Sequence, residues 1–420
     1  MIILATQTAV IVTSIVVFLL VILLLVGILL YAKTKLTPSG SVVVSINGGD
    51  KTIETAPGST LLSTLGNNKI FLPSACGGGG TCGMCRCQVD SGAGSILPTE
   101  TGFFTRKEQQ NNWRLACQVK VKEDIEMHVP QEVMGIKKWE CTVVSNRNVA
   151  TFIKEFVVRL PEGEILDFKS GGYIQIDVPK IEVDFKNFDI DEKFRGDWVK
   201  FGMFDLKMKN PEPTYRAYSM ANHPAEGNIV MLNIRIATPP FDRVNGGFQK
   251  VNPGICSSYI YSLKPGDKVT ISGPYGEFFL KNNDNEMMFI GGGAGMAPMR
   301  SHLFHLFHTV KESNKKVTFW YGARSWKEVF YYEQFRDIEK NFPNFKFHLA
   351  LSEPLPEDNW TGPTGFIHQV IYDNYLSKHE EPEEIDYYLC GPPMMNDAVT
   401  KMLYELGVPD ENVLFDDFGG

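Results

Sequence analysis

Four cysteines have a spacing that is typical of iron–sulfur ligands. Cys76, Cys82 and Cys85 form a C-x5-C-x2-C pattern, and Cys117 follows later in the chain. Four thiolates can hold a [2Fe–2S] cluster, and glycines 77–80 allow the tight turn and close backbone approach that such a cluster requires. A zinc ribbon is the alternative, but it usually shows two C-x2-C pairs and only one is present. The spacing therefore favours a [2Fe–2S] cluster.

A second motif suits a flavin. In Arg216-Ala217-Tyr218-Ser219, the first residue offers a cation for a pyrophosphate, the third a ring for the isoalloxazine and the fourth a small donor near N5. By itself the tetrapeptide also fits an ordinary strand. Gly254-Ile255-Cys256-Ser257 then opens a predicted helix, whose N-terminal N–H groups and hydroxyl suit a phosphate. The two motifs together indicate a flavin site.

A third motif suits a nucleotide. Gly291-Gly292-Gly293-Ala294-Gly295-Met296-Ala297-Pro298 lies between a predicted strand and a predicted helix, as a phosphate-binding turn must. It matches neither G-x-G-x-x-G nor a P-loop. Cys390-Gly391-Pro392 follows another predicted strand, and a thiol at the carboxyl end of a strand can border a nicotinamide. The alternative for Cys390 is a buried core thiol.

The elements around these motifs predict three folded modules. Residues 41–130 form a small β-rich module, with a hairpin at 42–54 and a short helix at 59–65 before the cysteine loop. Residues 137–280 contain many predicted strands that are rich in β-branched and aromatic residues and are separated by turns. This pattern is typical of an antiparallel barrel. Residues 182–210 are predicted to be an irregular surface insertion, with a partner-docking surface as the alternative.

The last module alternates strand and helix from residue 286 onward. Strands are predicted at 287–290, 317–321, 345–349 and 387–389. This order is typical of a doubly wound parallel sheet.

The first 32 residues carry no charged side chain. Ala9–Tyr31 is long enough to cross a bilayer as a helix. Lys33 and Lys35 follow it, so the positive-inside rule places the N-terminus outside and the folded modules in the cytoplasm. A signal peptide and a buried helix of a soluble protein are the alternatives.

Composition narrows the function further. The formal net charge of -8 argues against nucleic-acid binding. On a reducing side of the membrane, the eight cysteines are not read as disulfides. Four of them lie outside the cluster motif, and Cys87 is either a competing ligand or a buried strand residue.

Two smaller features carry less weight. His302, His305 and His308 recur every three residues, which spreads them around a helix and argues against a metal site. Arg324 suits the 2′-phosphate of NADPH, whereas nearby Glu328 would repel that phosphate.

The order of the flavin and nucleotide motifs resembles the ferredoxin–NADP reductase superfamily over Lys137–Gly420. The front module resembles a [2Fe–2S] ferredoxin domain along its whole length. With the N-terminal segment, the whole chain is similar to the electron-input subunits of bacterial sodium-translocating NADH:quinone reductases. The stretches 216–222, 291–300, 360–368 and 416–420 are particularly close to that family.

This resemblance implies four parts. They are a transmembrane helix and linker at 1–36, a β-grasp [2Fe–2S] domain at 37–130, an FAD-binding barrel at 131–282 and an NADH-binding α/β domain at 283–420. It implies hydride transfer from NADH to FAD, then single-electron transfer to the cluster and onward to partner subunits and, indirectly, quinone. The expected location is the bacterial inner membrane.

The resemblance also implies residue roles. Ser219, Cys390 and Phe418 would act in catalysis, with Phe418 covering the flavin face that the nicotinamide must reach. The wider set of cofactor-binding residues comprises the three motifs above, namely 216–219, 254–257, 291–295 with Pro298, and 390–392, together with Phe418. Two rivals remain open: a soluble reductase component that feeds an oxygenase, and a membrane-anchored redox sensor that does not turn over.

Overall fold

The computed structural model describes residues 2–36, 40–242 and 246–416. The chain divides into two compact units. Unit 1 comprises Met1–Pro73 and Gly78–Gly135, and unit 2 comprises Ser74–Gly77 and Ile136–Gly420.

The N-terminal segment is helical, as α1 (Ile2–Leu36). Its described side chains, those of residues 13–29 and 31, are all exposed. Within the part of the chain that the structure describes, no helix is both long and apolar enough to cross a membrane. The membrane span stays a prediction.

Unit 1 contains the small β-rich module that the sequence predicts. Its elements are β1 (Val42–Ile46), β2 (Lys51–Thr55), α2 (Leu61–Asn67), β3 (Arg86–Ser91), α3 (Pro98–Thr101), α4 (Arg106–Gln110), β4 (Trp113–Leu115), β5 (Ile125–His128) and α5 (Gln131–Met134). The sheet order is β2-β1-β5-β3-β4, and β1 pairs with β5 in parallel.

The predicted hairpin and helix of unit 1 are confirmed. The hairpin turn at Asn47–Gly49 places Gly48 and Gly49 at φ of 73° and 99°, a region that glycine adopts without steric cost. The helix begins at Leu61, because the Thr60 hydroxyl caps it by accepting a hydrogen bond from the Ser63 N–H at 3.1 Å. Leu61 and Leu65 are fully buried and attach this helix to the sheet.

Unit 2 begins with the predicted barrel. Its elements are β6 (Lys137–Ala150), β7 (Ile153–Arg159), β8 (Tyr173–Val178), β9 (Ile181–Asp184), α6 (Glu192–Lys200), β10 (Lys207–Asn210), β11 (Thr214–Ser219), β12 (Ile229–Arg235), α7 (Ile255–Ser262) and β13 (Lys268–Tyr275). Six strands run antiparallel in the order β11-β8-β13-β6-β7-β12. A bridge between Met220 and Leu232 links the two ends of this order, and thereby closes the barrel.

The prediction that residues 182–210 form an irregular surface excursion is wrong. β9 and β10 pair antiparallel, and α6 lies between them. The aromatic side chains of the segment turn inward: Phe185 and Trp198 are fully buried and Phe194 is 3% exposed. The alternation of charged and aromatic residues thus reflects a small core with a charged outer face. The docking alternative stays a prediction.

The rest of unit 2 is the predicted parallel sheet with flanking helices. Its elements are β14 (Met287–Gly292), α8 (Met296–Phe304), β15 (Val317–Ala323), α9 (Tyr332–Asn341), β16 (Phe345–Leu351), α10 (Ile367–Asn374), β17 (Asp386–Cys390), α11 (Pro393–Glu405) and β18 (Val413–Phe415). The order is β16-β15-β14-β17-β18, all parallel. The short β18 had no sequence prediction. The carboxyl ends of all five strands meet at one edge, where ligands of open α/β sheets bind.

Candidate functional site

The cysteine loop of unit 1 brings two of the predicted ligands together. Cys85 and Cys117 are 1% and 5% exposed, and their thiols form a hydrogen bond. That hydrogen bond, with burial and the neighbouring thiol's charge, raises the pKa of Cys85. Gln118 Nε2 donates to Cys117 Sγ at 3.5 Å. Gly80 lies beside the Gln118 amide and has φ +78°, a backbone conformation that favours glycine.

The other two predicted ligands, Cys76 and Cys82, are partly exposed. Cys76 Sγ lies 4.0 Å from Ser74 Oγ. Over residues 2–36, 40–242 and 246–416, no three His, Cys, Asp or Glu side chains are grouped to hold a single metal ion. A two-iron cluster takes only two thiolates on each iron, and the adjacent thiols of Cys85 and Cys117 fit one such pair.

Cys87 is a buried strand residue, which is one of the two readings that its spacing left open. It lies on β3, is fully buried, and donates weakly to the Arg114 carbonyl at 3.8 Å. Burial raises its pKa to about 12. Its thiol therefore stays protonated and packs as a small apolar group.

A buried ion pair behind the cluster loop was not predicted from the sequence. Glu100 is fully buried and accepts hydrogen bonds from Arg114 Nη2 at 2.8 Å and from the Leu115 N–H at 2.9 Å. Burial alone would raise the pKa of Glu100, but these bonds and that of the Leu97 amide lower it on balance. Because Leu115 is two residues before Cys117, this pair fixes the backbone that carries the cysteine.

The predicted flavin strand is β11. Arg216 Nη1 donates to Thr214 Oγ1 at 3.1 Å and to the Tyr215 carbonyl at 2.7 Å. The Tyr218 hydroxyl hydrogen-bonds the Cys256 thiol of α7, and burial raises the pKa of both groups, that of Cys256 to about 12. The structure thus brings the first flavin motif against the second.

The second motif is attached to the chain that follows β12. Gly254, at the start of α7, donates its N–H to the Ala237 carbonyl at 2.9 Å, and Ser257 Oγ accepts from the Ala237 N–H at 3.1 Å. A Cβ on Gly254 would lie 2.5 Å from the Ala237 Cβ, so only glycine allows this approach. Ile255 follows as the first residue of α7.

The glycine turn ends β14 and leads into α8, as the sequence predicts. Gly293 has φ +56°, and its carbonyl accepts from the Tyr321 hydroxyl at 3.2 Å. A Cβ on Gly295 would lie 2.0 Å from the carbonyl oxygen of Cys390, so the turn touches the end of β17 directly. Cys390 is fully buried at that point.

A cavity of about 680 Å³ lies beside the glycine turn in unit 2. Gly292, Gly293 and Pro392 line it, and Arg324 and Glu328 form part of its wall. Its volume is within the range of cofactor sites. Phe152, Arg235 and Phe248 also line it from the barrel, and Phe366 and Met394 line it from the α/β part of the unit.

Ser219 lies at the end of β11 and donates a short hydrogen bond to the Asp416 carboxylate. The Asp416 N–H in turn donates to the Leu389 carbonyl at 3.0 Å, one residue before Cys390. The sequence did not assign a role to Asp416. Residues 416–420 were noted only because they resemble the same stretch of the reductase family. Phe418 lies outside the described residues.

A second unpredicted group joins α8 to the barrel. Arg300 is 4% exposed and binds both Glu226 carboxylate oxygens, Oε1 through Nη2 at 2.7 Å and Oε2 through Nη1 at 2.9 Å. Nη1 also donates to the Ala221 carbonyl at 2.8 Å, two residues beyond Ser219. Burial alone would raise the pKa of Glu226, but hydrogen bonds from His223 and Arg300 lower it to about 2.

The next two residues of α8 also contact the barrel. Ser301 Oγ donates to the Asn222 carbonyl at 2.8 Å, and His302 Nδ1 lies 3.2 Å from Ser170 Oγ. Burial lowers the pKa of His302 to about 3, so its ring is neutral. His305 begins a turn of π-helix that runs to Val310.

Three protein-family models match the chain. Residues 44–122 match a 2Fe-2S iron-sulfur cluster binding domain, residues 198–280 an oxidoreductase FAD-binding domain and residues 289–401 an oxidoreductase NAD-binding domain. The order of these three domains agrees with the order of the cysteine, flavin and nucleotide motifs along the sequence.

Whole-chain relatives decide the family. The F subunit of the Na(+)-translocating NADH-quinone reductase of Klebsiella pneumoniae is 56% identical over 395 residues, covering 94% of this chain and 96% of the relative. Its counterpart in Idiomarina loihiensis is 57% identical over 396 residues, with the same shares covered. The chain belongs to the family of these F subunits. As in the predicted scheme, it carries a [2Fe–2S] cluster and FAD and oxidises NADH, and electrons pass from NADH through FAD to the cluster.

Solved structures share the fold of this chain. An Amycolatopsis cytochrome P450 reductase, GcoB, aligns with a TM-score of 0.61 at 22% identity and covers 90% of this chain and 98% of its own. The ferredoxin reductase of a carbazole 1,9a-dioxygenase aligns with a TM-score of 0.57 at 24% identity and covers 90% and 99%. At these identities the likeness shows the fold.

Replacing Glu100 by Gln should destabilise unit 1. The substitution leaves the Arg114 guanidinium buried without its countercharge, which costs about 3–5 kcal/mol. Urea-induced bleaching of the cluster absorbance measures the loss. The matched control is Glu108→Gln, which removes the negative charge from an exposed ion pair with Arg86. This substitution should change the urea midpoint little. Equal midpoints for the two variants would contradict the structural role of Glu100.

The Glu226–Arg300 pair should make unit 2 sensitive to acid. The pKa of Glu226 lies near 2 in the folded protein, below its unfolded value of about 4.5. The pair's contribution to the free energy of unfolding is therefore complete above pH 4.5 and is lost as the pH falls from about 4.5 to 2. That shift corresponds to on the order of 3 kcal/mol. We expect the stability difference between wild type and Glu226→Gln, measured by flavin release in urea, to shrink over this range. A constant difference would refute the assignment.

Proposed function

We propose that this chain is the electron-input subunit of a membrane-bound, sodium-translocating NADH:quinone reductase. The observation that carries the proposal is the match of 94% of the chain to proteins named as the F subunit of that reductase. The geometry of unit 2 supports it, because a glycine turn, a flavin strand and the end of β17 come together there. Partner subunits of the same complex would receive the electrons and pass them to quinone. Sodium movement would belong to those partners, since residues 1–32 contain no ionisable side chain for an ion path other than Tyr31.

The NADH side of the site would be formed by the glycine turn. Residues 291–295 and Pro298 would hold the pyrophosphate against the N-terminus of α8, where backbone N–H groups face an anion. Cys390, with Gly391 and Pro392 after it, would border the nicotinamide. The contact of Gly295 with the Cys390 carbonyl supports this, because it joins both groups at one edge of the sheet.

The flavin side would be formed by β11 and α7. Arg216 would pair with the FAD pyrophosphate, Tyr218 would pack on the flavin ring, and residues 254–257 would add N–H and hydroxyl groups. Bound FAD supplies the conversion of a two-electron donor into single-electron steps. Ser219 would face the reacting edge of the ring, with its hydroxyl oriented by Asp416. Phe418, two residues beyond Asp416, would cover the ring until the nicotinamide arrives.

The cluster would be held by Cys76, Cys82, Cys85 and Cys117. The adjacent thiols of Cys85 and Cys117 support a shared iron for that pair. We further propose the four-part division at residues 1–36, 37–130, 131–282 and 283–420.

The anchor would be α1. Its described side chains are apolar or uncharged and all exposed, with Phe18 and Leu23 each 65% exposed. Such a surface on a single helix is unfavourable in water and favourable in lipid. Lys33 and Lys35 after it support a cytoplasmic location for the folded units in a bacterial inner membrane.

The test of the proposal is NADH-driven quinone reduction by the complex purified in mild detergent, with and without sodium. We expect sodium to stimulate the rate in wild type. Cys85→Ala should abolish both the cluster signal and quinone reduction while NADH still bleaches the flavin, because the substitution removes one iron ligand.

The matched control for that test is Cys87→Ala, which removes a buried thiol two residues away and should keep the cluster signal. Sodium-independent rates in wild type would leave an NADH-oxidising reductase and reject the pump. Loss of flavin reduction in Cys85→Ala would show that the two cofactor sites depend on each other.

Deleting residues 2–36 should release the chain from the membrane. The chain is expressed without partner subunits, and carbonate-washed membranes are compared with the supernatant. We expect the full chain in the membranes and the truncated chain in the supernatant, with equal NADH:ferricyanide activity because unit 2 is untouched. A truncated chain that stays in washed membranes would contradict α1 as the anchor.

A further inference from the structure

The inserted segment at 181–210 reaches the cofactor cavity through one chain of hydrogen bonds. It starts at Trp198 of α6, which is fully buried and donates its indole N–H to the Thr151 carbonyl at 2.7 Å. Thr151 lies in the tight turn between β6 and β7 and is 1% exposed. The insertion therefore holds the backbone of this turn from inside the protein.

The chain continues from Thr151 to the cavity wall. The Thr151 N–H donates to Glu328 Oε2 at 3.1 Å, and its hydroxyl donates a short hydrogen bond to Glu328 Oε1. Both carboxylate oxygens are thus bound to one residue. Two bonds on a planar group fix its direction as well as its position, whereas a single bond leaves it free to rotate.

A second contact links the same elements independently. Lys327 Nζ lies 2.5 Å from Asp197 Oδ2. Adjacent residues of α6, Asp197 and Trp198, therefore hold two adjacent residues: Asp197 binds Lys327 directly, and Trp198 holds the cavity-lining Glu328 through Thr151. These two contacts hold residues 327 and 328 at neighbouring points, so they position the backbone that carries Glu328 as well as its side chain.

Glu328 lies where an adenosine ribose would be recognised in a doubly wound sheet. It follows the carboxyl end of β15, the strand that pairs with β14 beside the glycine turn, and it lines the cavity together with Arg324. An acidic side chain at this place favours a ribose hydroxyl and repels a phosphate, whereas an arginine favours the phosphate. Arg324 and Glu328 have opposite effects on the binding of a 2′-phosphate, so the position of the Glu328 carboxylate decides which dinucleotide is preferred.

We propose that α6 is a positioning element that holds Glu328 in the cavity wall and so sets the preference for NADH over NADPH. Asp197, Trp198 and Thr151 are positioning residues, and Glu328 is the group that meets the ribose. The inference rests on the proposed function, since it assumes that the cavity takes the dinucleotide. A carboxylate released by Thr151 would turn away and leave Arg324 to attract the additional phosphate.

The test compares kcat/KM for NADH and NADPH, with ferricyanide as acceptor, in the full-length protein in detergent. We expect Trp198→Phe to lower the NADH/NADPH ratio roughly tenfold, the equivalent of one lost hydrogen bond. The change should come from a lower KM for NADPH, with kcat for NADH nearly unchanged. Glu328→Gln should lower the ratio at least as much, and the double variant no further than Glu328→Gln alone.

A matched control is Trp139→Phe. Trp139, on β6, is likewise a buried tryptophan, 7% exposed, and its indole N–H donates to the Glu164 carboxylate at 2.9 Å, whereas that of Trp198 donates to a backbone carbonyl. It does not line the cavity. Its variant should keep the wild-type ratio, which separates positioning from a general weakening of the barrel.

A further pair of variants avoids the buried tryptophan, whose replacement can impair folding. Thr151→Val removes the hydroxyl donor at similar size, and Thr151→Ser keeps it. We expect the ratio to fall in the first and to be retained in the second, at equal FAD content. Ratios within twofold of wild type in Trp198→Phe and Thr151→Val, or in Glu328→Gln, would overturn the proposal. No NADH oxidation by the unsubstituted protein would instead reject the proposed function.

Discussion

The organisation of unit 2 depends on one constraint, which is that a single short helix serves two purposes. α8 begins directly at the glycine turn, and its residues Arg300 and Ser301 bind the barrel within three residues of Ser219. A helix rises only about 1.5 Å per residue, so these contacts set the separation of the nucleotide turn and the flavin strand to a fixed length. The Arg300–Glu226 pair adds a charge-assisted contact to the barrel, because both oxygens of the partly buried carboxylate are bound to the guanidinium.

Much of the fold was predictable because the relevant signals are local in sequence. Strand periodicity placed the barrel and the parallel sheet, and the glycine turn was found where a strand passes into a helix. The cysteine spacing indicated the cofactor, and the small helix of unit 1 was predicted two residues too early at both its start and its end. For a site built from contiguous motifs, residue type and spacing contain most of the information.

The remaining features depend on pairing between distant segments, which one sequence does not display. Arg300 and Glu226 are both residue types that usually lie at the surface, and only the fold pairs them, with Arg300 buried and Glu226 partly buried. Asp416 meets Ser219 from nearly two hundred residues away. The insertion was misjudged for a related reason: its phenylalanines and Trp198 alternate with charges in a pattern that an irregular loop shares, and only the packing of α6 shows which side each residue takes.

The buried thiols have a consequence for chemical durability. Cys87, Cys141 and Cys256 are at most 2% exposed, and burial raises the pKa of each to about 12. Peroxide and electrophiles attack the thiolate and not the thiol. These three sulfur atoms are therefore protected from such reagents, and oxidative damage should begin at the partly exposed Cys76 and Cys82 whenever they lack iron.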